Sequence, residues 1–157
     1  MITLEVATRS HTELRDITAD IASAVREVEV TEGVCHIFVP HTTAGVTLNE
    51  NWDPTVRSDL LLTFDDHIAP PDPRHRHGEG NSPAHIKASL CGASATVIVE
   101  AGKLQLGRWQ GIYLAEFDGP RQRKVWIKII ETWRPVHSSS LDLRSSSAGR
   151  TSPARRL

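Results

Sequence analysis

Apolar and polar residues alternate through Ile2, Leu4 and Val6, the period-two signature of a half-buried strand. From Asp16 the spacing changes. Ile17, Ile21, Ala24, Val25 and Val28 recur at helical intervals, and Gly33 is expected to end that run. Val34 to Val39 predicts a strand closed by Pro40, with Ala44 to Leu48 as its antiparallel partner. Asp53-Pro54 supplies an N-cap and a first-turn proline ahead of Val56, Leu60, Leu61 and Phe64, which mark a second helix. Ser82-Pro83 repeats the device, with Ser82 as N-cap, Ile86 and Leu90 facing inward and Gly92 as the stop. Strands are then expected at Thr96 to Val99, Leu104 to Leu106, Trp109 to Phe117 and Arg123 to Trp133, with turns at Gly102-Lys103 and Asp118-Gly119-Pro120. The pattern predicts an α+β domain: an antiparallel sheet with helices mainly in the first half.

Composition narrows the function classes. The chain has 157 residues, with 18 Lys plus Arg against 19 Asp plus Glu, so one domain is expected and a dedicated nucleic-acid footprint is not. No apolar run approaches the roughly 18 residues of a membrane span, and the N-terminus lacks the features of a signal peptide, so a soluble cytoplasmic protein is expected. Cys35 and Cys91 are too few for a disulfide scaffold. Residues 138–157 hold seven serines and four arginines without apolar periodicity, which predicts a disordered tail after a folded domain of residues 1–137.

Histidine usage is where chemistry concentrates. Of eight histidines, His67, His75, His77 and His85 fall close together. The run His75-Arg76-His77-Gly78-Glu79-Gly80-Asn81 leads into the helix carrying His85, and its glycines allow His77 and Glu79 to face one space. The spacing matches neither a zinc finger nor HExxH, and solvated loop histidines are the plain alternative. His41 opens a polar corner after a strand, followed by Asn49-Glu50. Farther on, alternation places Gln110, Ile112, Leu114 and Glu116 on one strand face, either the floor of a pocket or a face with two solvated ends.

Together, His41-Thr42-Thr43-Ala44, Asn49-Glu50, Arg76-His77-Gly78-Glu79-Gly80-Asn81 with Ala84-His85, Gly107-Arg108-Trp109-Gln110 and Glu116-Phe117-Asp118-Gly119-Pro120-Arg121 resemble the secondary thiamine-phosphate synthase family over residues 1–133. The resemblance implies a β-sandwich or half-barrel core, a homotrimer with polar clusters near subunit interfaces, and a secondary ability to make thiamine phosphate. One departure stands out: Arg108 occupies the place of the family's usual threonine. On this basis Glu79, Glu116 and Gln110 are the expected catalytic groups. Asn49, Glu50, Asn81, Lys87, Arg108 and Arg121 are the expected contacts to a small phosphorylated substrate, with Lys87, Arg121 and Arg123 as sources of positive charge. Convergence of His41, His77 and His85 would suit zinc, whereas carboxylates such as Glu79 and Glu116 would suit magnesium. A metal-assisted hydrolase and a non-catalytic ligand- or metal-binding trimer are the competing readings.

Overall fold

The computed structural model describes residues 1–132, which form two antiparallel sheets and three helices. The tail expected at 138–157 lies outside the described residues. Eight strands are present: β1 (Ile2–Ala7), β2 (Glu13–Asp16), β3 (Glu32–Phe38), β4 (Ala44–Glu50), β5 (Ser94–Glu100), β6 (Lys103–Leu104), β7 (Gln110–Glu116) and β8 (Gln122–Glu131). The helices are α1 (Thr18–Glu27), α2 (Pro54–Thr63) and α3 (Ser82–Cys91). The larger sheet has the order β1-β8-β3-β5-β6 and the smaller one β2-β7-β4.

The main core lies between the two sheets. Val6, Cys35, Ile37, Val97, Val99, Val125 and Ile127 from the larger sheet meet Val46, Ile112 and Leu114 from the smaller, and Ile17, Ile21, Ala24 and Val25 of the α1 segment join them. Burying each such aliphatic side chain contributes about 1.5–3 kcal/mol. Strand β7 is central to its sheet and buried on both faces. Ile112 and Leu114 point into the main core, while Tyr113 and Ala115, with Phe117 just beyond the strand, form a second cluster with Leu14, Phe64, Ala84 and Ala88 beneath α2 and α3. This explains the nearly continuous apolar run from Ile112 to Ala115.

Several expectations change. The first helix stops at Glu27 rather than running toward Gly33, and its last expected core residue, Val28, is exposed. Strand β2 has only one buried apolar position, Leu14, and so carries little sequence signal. The N-cap of α3 is Asn81 rather than Ser82, and its inward face is Ala84, Lys87 and Ala88, whereas Ile86 and Leu90 are exposed. The cause is the closeness of the helix to β4: a Cβ on Gly45 would lie 2.6 Å from the Gly92 carbonyl oxygen and 3.0 Å from the Cys91 Cβ. Only small residues fit such a seat.

That close approach yields a prediction. Gly45→Ala should force α3 away from β4 and destabilise the domain by about 1–3 kcal/mol. Thermal unfolding monitored by circular dichroism should show a lowered Tm; an unchanged Tm would mean that the helix seat is not tight.

Candidate functional site

Three loops meet at the end of the smaller sheet where β7 finishes. The first follows β1 and carries Thr8 and His11, and Gly119 N–H donates to the His11 carbonyl across 2.9 Å. A side chain at Gly119 would not fit, because its Cβ would stand 2.3 Å from the Ser10 carbonyl oxygen. The second loop is a π-helical turn, Phe64–Ile68, that continues α2. Its Ala69 N–H reaches the Phe64 carbonyl at 3.0 Å, and Phe64 anchors it against Phe117 with ring centroids 5.6 Å apart. The wider turn presents Asp65 and Asp66 beside the first turns of α3, the kind of helix irregularity often found at functional sites. The third loop, Glu79 to Asn81, leads into α3.

Between these loops lies a pocket of about 410 Å³. That volume suits a small-molecule ligand. Its lining includes His11, Asp65, Asp66, Glu79, Lys87 and Asp118. Lys87 is 4% exposed and donates to Asp65, which also accepts the Thr12 hydroxyl at 3.0 Å. Asn81 joins two walls by donating to Asp118 at 3.1 Å and to Glu79 at 3.3 Å. Its Oδ1 is buried without a hydrogen-bond partner among the described residues. Asp118 also accepts from Arg121 at 2.7 Å. Burial by itself would raise the Asp118 pKa, but the Asn81 amide and the Arg121 guanidinium outweigh it and hold the carboxyl below its ordinary range.

Behind the pocket, Glu116 is fully buried against Arg123, itself 5% exposed. Two guanidinium nitrogens donate to the two carboxylate oxygens at 2.6 and 2.5 Å. Thr8 Oγ1 donates to the carboxylate at 3.0 Å, and the backbone N–H groups of Phe117 and Asp118 donate at 3.0 and 2.9 Å. The second Arg123 nitrogen also donates to Thr43 Oγ1 at 2.9 Å. Desolvation pushes the Glu116 pKa up, but these hydrogen bonds and the Arg123 charge carry it below the usual carboxylate value. With its lone pairs so engaged, Glu116 positions the Asp118 loop.

The expected site residues separate into two groups. Glu79, Asn81 and Lys87 line the pocket, and Arg121 reaches its rim through Asp118. Gln110 lies at the opposite end of β7 from Glu116, six residues or roughly 20 Å away along the strand. It is exposed, and its Oε1 accepts from Gly107 N–H at 2.8 Å. Glu50 pairs with Gln110 in register, and Asn49 Oδ1 accepts the Glu50 N–H at 2.7 Å. Arg108 stacks over Trp109, 4.7 Å from the ring centroid, in a shallow depression with Trp52 and Asn51. Asn49, Glu50, Arg108 and Gln110 therefore stand apart from the carboxylate pocket within one chain.

The histidines also divide. His77 and His85 are in edge-to-face contact, with ring centroids 5.2 Å apart. His41 lines another depression with His85, but its Nε2 accepts the Lys124 backbone N–H at 2.8 Å. Burial and the nearby Arg123 charge depress its pKa, so it serves as a neutral acceptor. Among the described residues, no group of three or more His, Cys, Asp or Glu side chains forms a ready-made metal site. Sequence reasoning assigned no role to His11, Asp65, Asp66 or Asp118. The Asp65-Asp66 doublet directly after Phe64 was the available signal; His11 offered none.

Two facing antiparallel sheets with a carboxylate-rich pocket at one end define a small α+β protein. Residues 2–132 match the family described as UPF0047 protein YjbQ-like, and the chain belongs to it. It is 52% identical over 126 residues to a UPF0047 protein of Methanocaldococcus jannaschii, covering 80% of this chain and 91% of that protein. It is 48% identical over 128 residues to the UPF0047 protein YugU of Bacillus subtilis, covering 82% and 97% respectively. The crystal structure of a YjbQ/UPF0047 protein from Clostridium acetobutylicum superposes with a TM-score of 0.80 at 51% identity, covering 83% of this chain and all (100%) of that one.

The Glu116–Arg123 pair has a pH consequence. Because Glu116 has a depressed folded-state pKa, its stabilisation is complete above the ordinary carboxylate range and fades as pH falls through that range toward the folded value. His41 adds to the loss, since its protonation removes the acceptor for Lys124 N–H. Glu116→Gln should leave Arg123 buried with a neutral partner, cost about 3–5 kcal/mol near pH 7, and show a weaker acid dependence of Tm than the wild type. Parallel pH–Tm profiles would contradict this account.

Proposed function

We propose that the pocket is the active site of a small-molecule transferase of the thiamine-phosphate synthase kind, joining an aminopyrimidine diphosphate to a thiazole phosphate. The observation carrying this reading is a buried ammonium, Lys87, set in a pocket that also holds Asp65, Asp66, Glu79 and Asp118. In the reaction the methylene C–O bond breaks and pyrophosphate leaves with the electron pair. The thiazole nitrogen donates its lone pair to that carbon, and the ring becomes a thiazolium cation. Positive charge thus develops where carboxylates can stabilise it, and Lys87, paired with Asp65 in the unliganded pocket, would exchange that partner for the departing pyrophosphate. The unpaired Asn81 Oδ1 suits an amino N–H on the pyrimidine.

Magnesium fits this donor set better than zinc, because the pocket offers carboxylate oxygens and a diphosphate would supply the remaining ligands. Such an ion would be held by one or two of Asp65, Asp66 and Glu79 and would neutralise the leaving group. Glu116 keeps its indirect role, fixing the loop that carries Asp118.

Self-association into a homotrimer belongs to the same reading. In a cyclic trimer two different patches meet at each interface, so one copy's Gln110 end could complete the next copy's pocket. The outer face of the larger sheet supplies further contact surface: Phe38 stacks on Trp126 at 5.7 Å, with Ile98 and Ile130 exposed nearby.

Two experiments test the proposal. Chromatography should detect thiamine phosphate and pyrophosphate when the two substrates and magnesium are supplied. Lys87→Met should reduce turnover by at least about a hundredfold, the scale for losing a transition-state charge contact. Substrate binding without product would support the non-catalytic alternative instead. Sedimentation equilibrium should give about three times the 17.3 kDa chain mass, and a stable monomer at micromolar concentration would defeat the shared-site arrangement.

A further inference from the structure

We infer a second site, for a divalent transition-metal ion of the zinc class, on the outer side of the loop preceding α3, held by His77 and His85 with His75 as a third imidazole. This site does not depend on the proposed transferase reaction. The three histidines line one depression with Ser82 and Ile86, and none of these residues lines the carboxylate pocket. Two imidazoles bound to one tetrahedral ion, each with a metal–nitrogen bond of about 2.0–2.1 Å, have ring centroids about 5 Å apart. His77 and His85 already stand 5.2 Å apart, with their planes 80° from parallel. The ring separation thus suits one shared ion, and binding requires the loop imidazoles to turn their nitrogens toward it and bring in His75, since among the described residues no three ligands stand ready.

The helix supplies one ligand and the loop the others. His85 is carried by the first turns of α3, whose position is fixed by the close packing on Gly45. His75 and His77 are exposed loop residues, so their rings can change rotamer to close on an ion. A cation beside a helix N-terminus meets the unfavourable end of the helix dipole. Glu79 offsets this: its carboxylate lies 4.0 Å from His77 Nε2, placed to orient that imidazole or to balance the ion's charge. An imidazole-rich set selects zinc, cobalt, nickel or copper over magnesium or calcium, which separates this site chemically from the carboxylate pocket.

His41 is outside this set. Its Nε2 is occupied by the Lys124 N–H, and it reaches His85 only across a different depression. The imidazole trio is therefore His75, His77 and His85 rather than the His41, His77 and His85 set expected from sequence.

Cobalt(II) titration of the full chain, followed by visible absorption and competed by zinc, tests the assignment. One equivalent per chain should bind. His77→Ala and His85→Ala should each weaken binding by at least about tenfold, His75→Ala by less, and His41→Ala and His36→Ala should bind as the wild type does. Circular dichroism checks the fold, and His77→Ala keeps the test readable if His85→Ala fails to fold, because His77 lies in an exposed loop. Absence of saturable cobalt binding by the wild type would overturn the site. Equal losses in His41→Ala and His77→Ala would overturn the ligand set. Thiamine-phosphate formation plays no part in this readout, so either proposal can fail while the other stands.

Discussion

The Glu116–Arg123 ion pair ties the two sheets together. Glu116 ends β7 in the smaller sheet, and Arg123 is the second residue of β8 in the larger one. Their contact closes one end of the core beyond Ile112 and Leu114, where a hydrophobic pair would exclude water equally well. What the charged pair adds is direction. Its oxygens also accept the N–H groups of Phe117 and Asp118, and its guanidinium reaches Thr43. A buried pair of this kind is weak evidence of net stability, because desolvation opposes the Coulomb gain. Here its hydrogen bonds join segments far apart in sequence and set where the chain leaves β7.

The pocket inherits its shape from that exit. Asp118 leaves the strand held from behind, Asn81 bridges it to Glu79, and Lys87 ties α3 to the π-helical turn through Asp65. The apolar contacts serve the same placement. Phe64 against Phe117 sets the turn, and Ala84 and Ala88 let α3 sit low enough for Lys87 to reach the pocket. Sheet, helix and loops thus bring charged groups from three separate stretches of sequence to one space.

Much of the frame was legible in the hydrophobic pattern, because local periodicity reflects which face a residue buries. Ile17, Ile21, Ala24 and Val25 read as the inner face of α1 and are buried there. The same rule failed at α3, where Ile86 and Leu90 are exposed and Lys87 is inside: the seat against Gly45 admits small residues, and the lysine satisfies its charge through Asp65. Glu79, Asn81 and Lys87, which the family resemblance offers as site residues, line one pocket. Glu116 was singled out, but its bonding to Arg123 depends on two sheets facing each other, which no local pattern encodes. Gln110 and Glu116 share a strand and an alternation, yet the length of β7 places them at its opposite ends.

The division of labour around β7 also bears on how such a protein can diverge. His11, Asp66 and Glu79 line the pocket while remaining exposed, and none belongs to either hydrophobic cluster. Substitutions there can accumulate one at a time, changing the pocket's charge and shape with little effect on folding. Thr8, Thr43, Glu116 and Arg123 have no such freedom, since changing one strands the polar groups of the others inside the protein. Descendants of one ancestral chain can therefore keep the same frame while drifting apart in the chemistry of the pocket it carries.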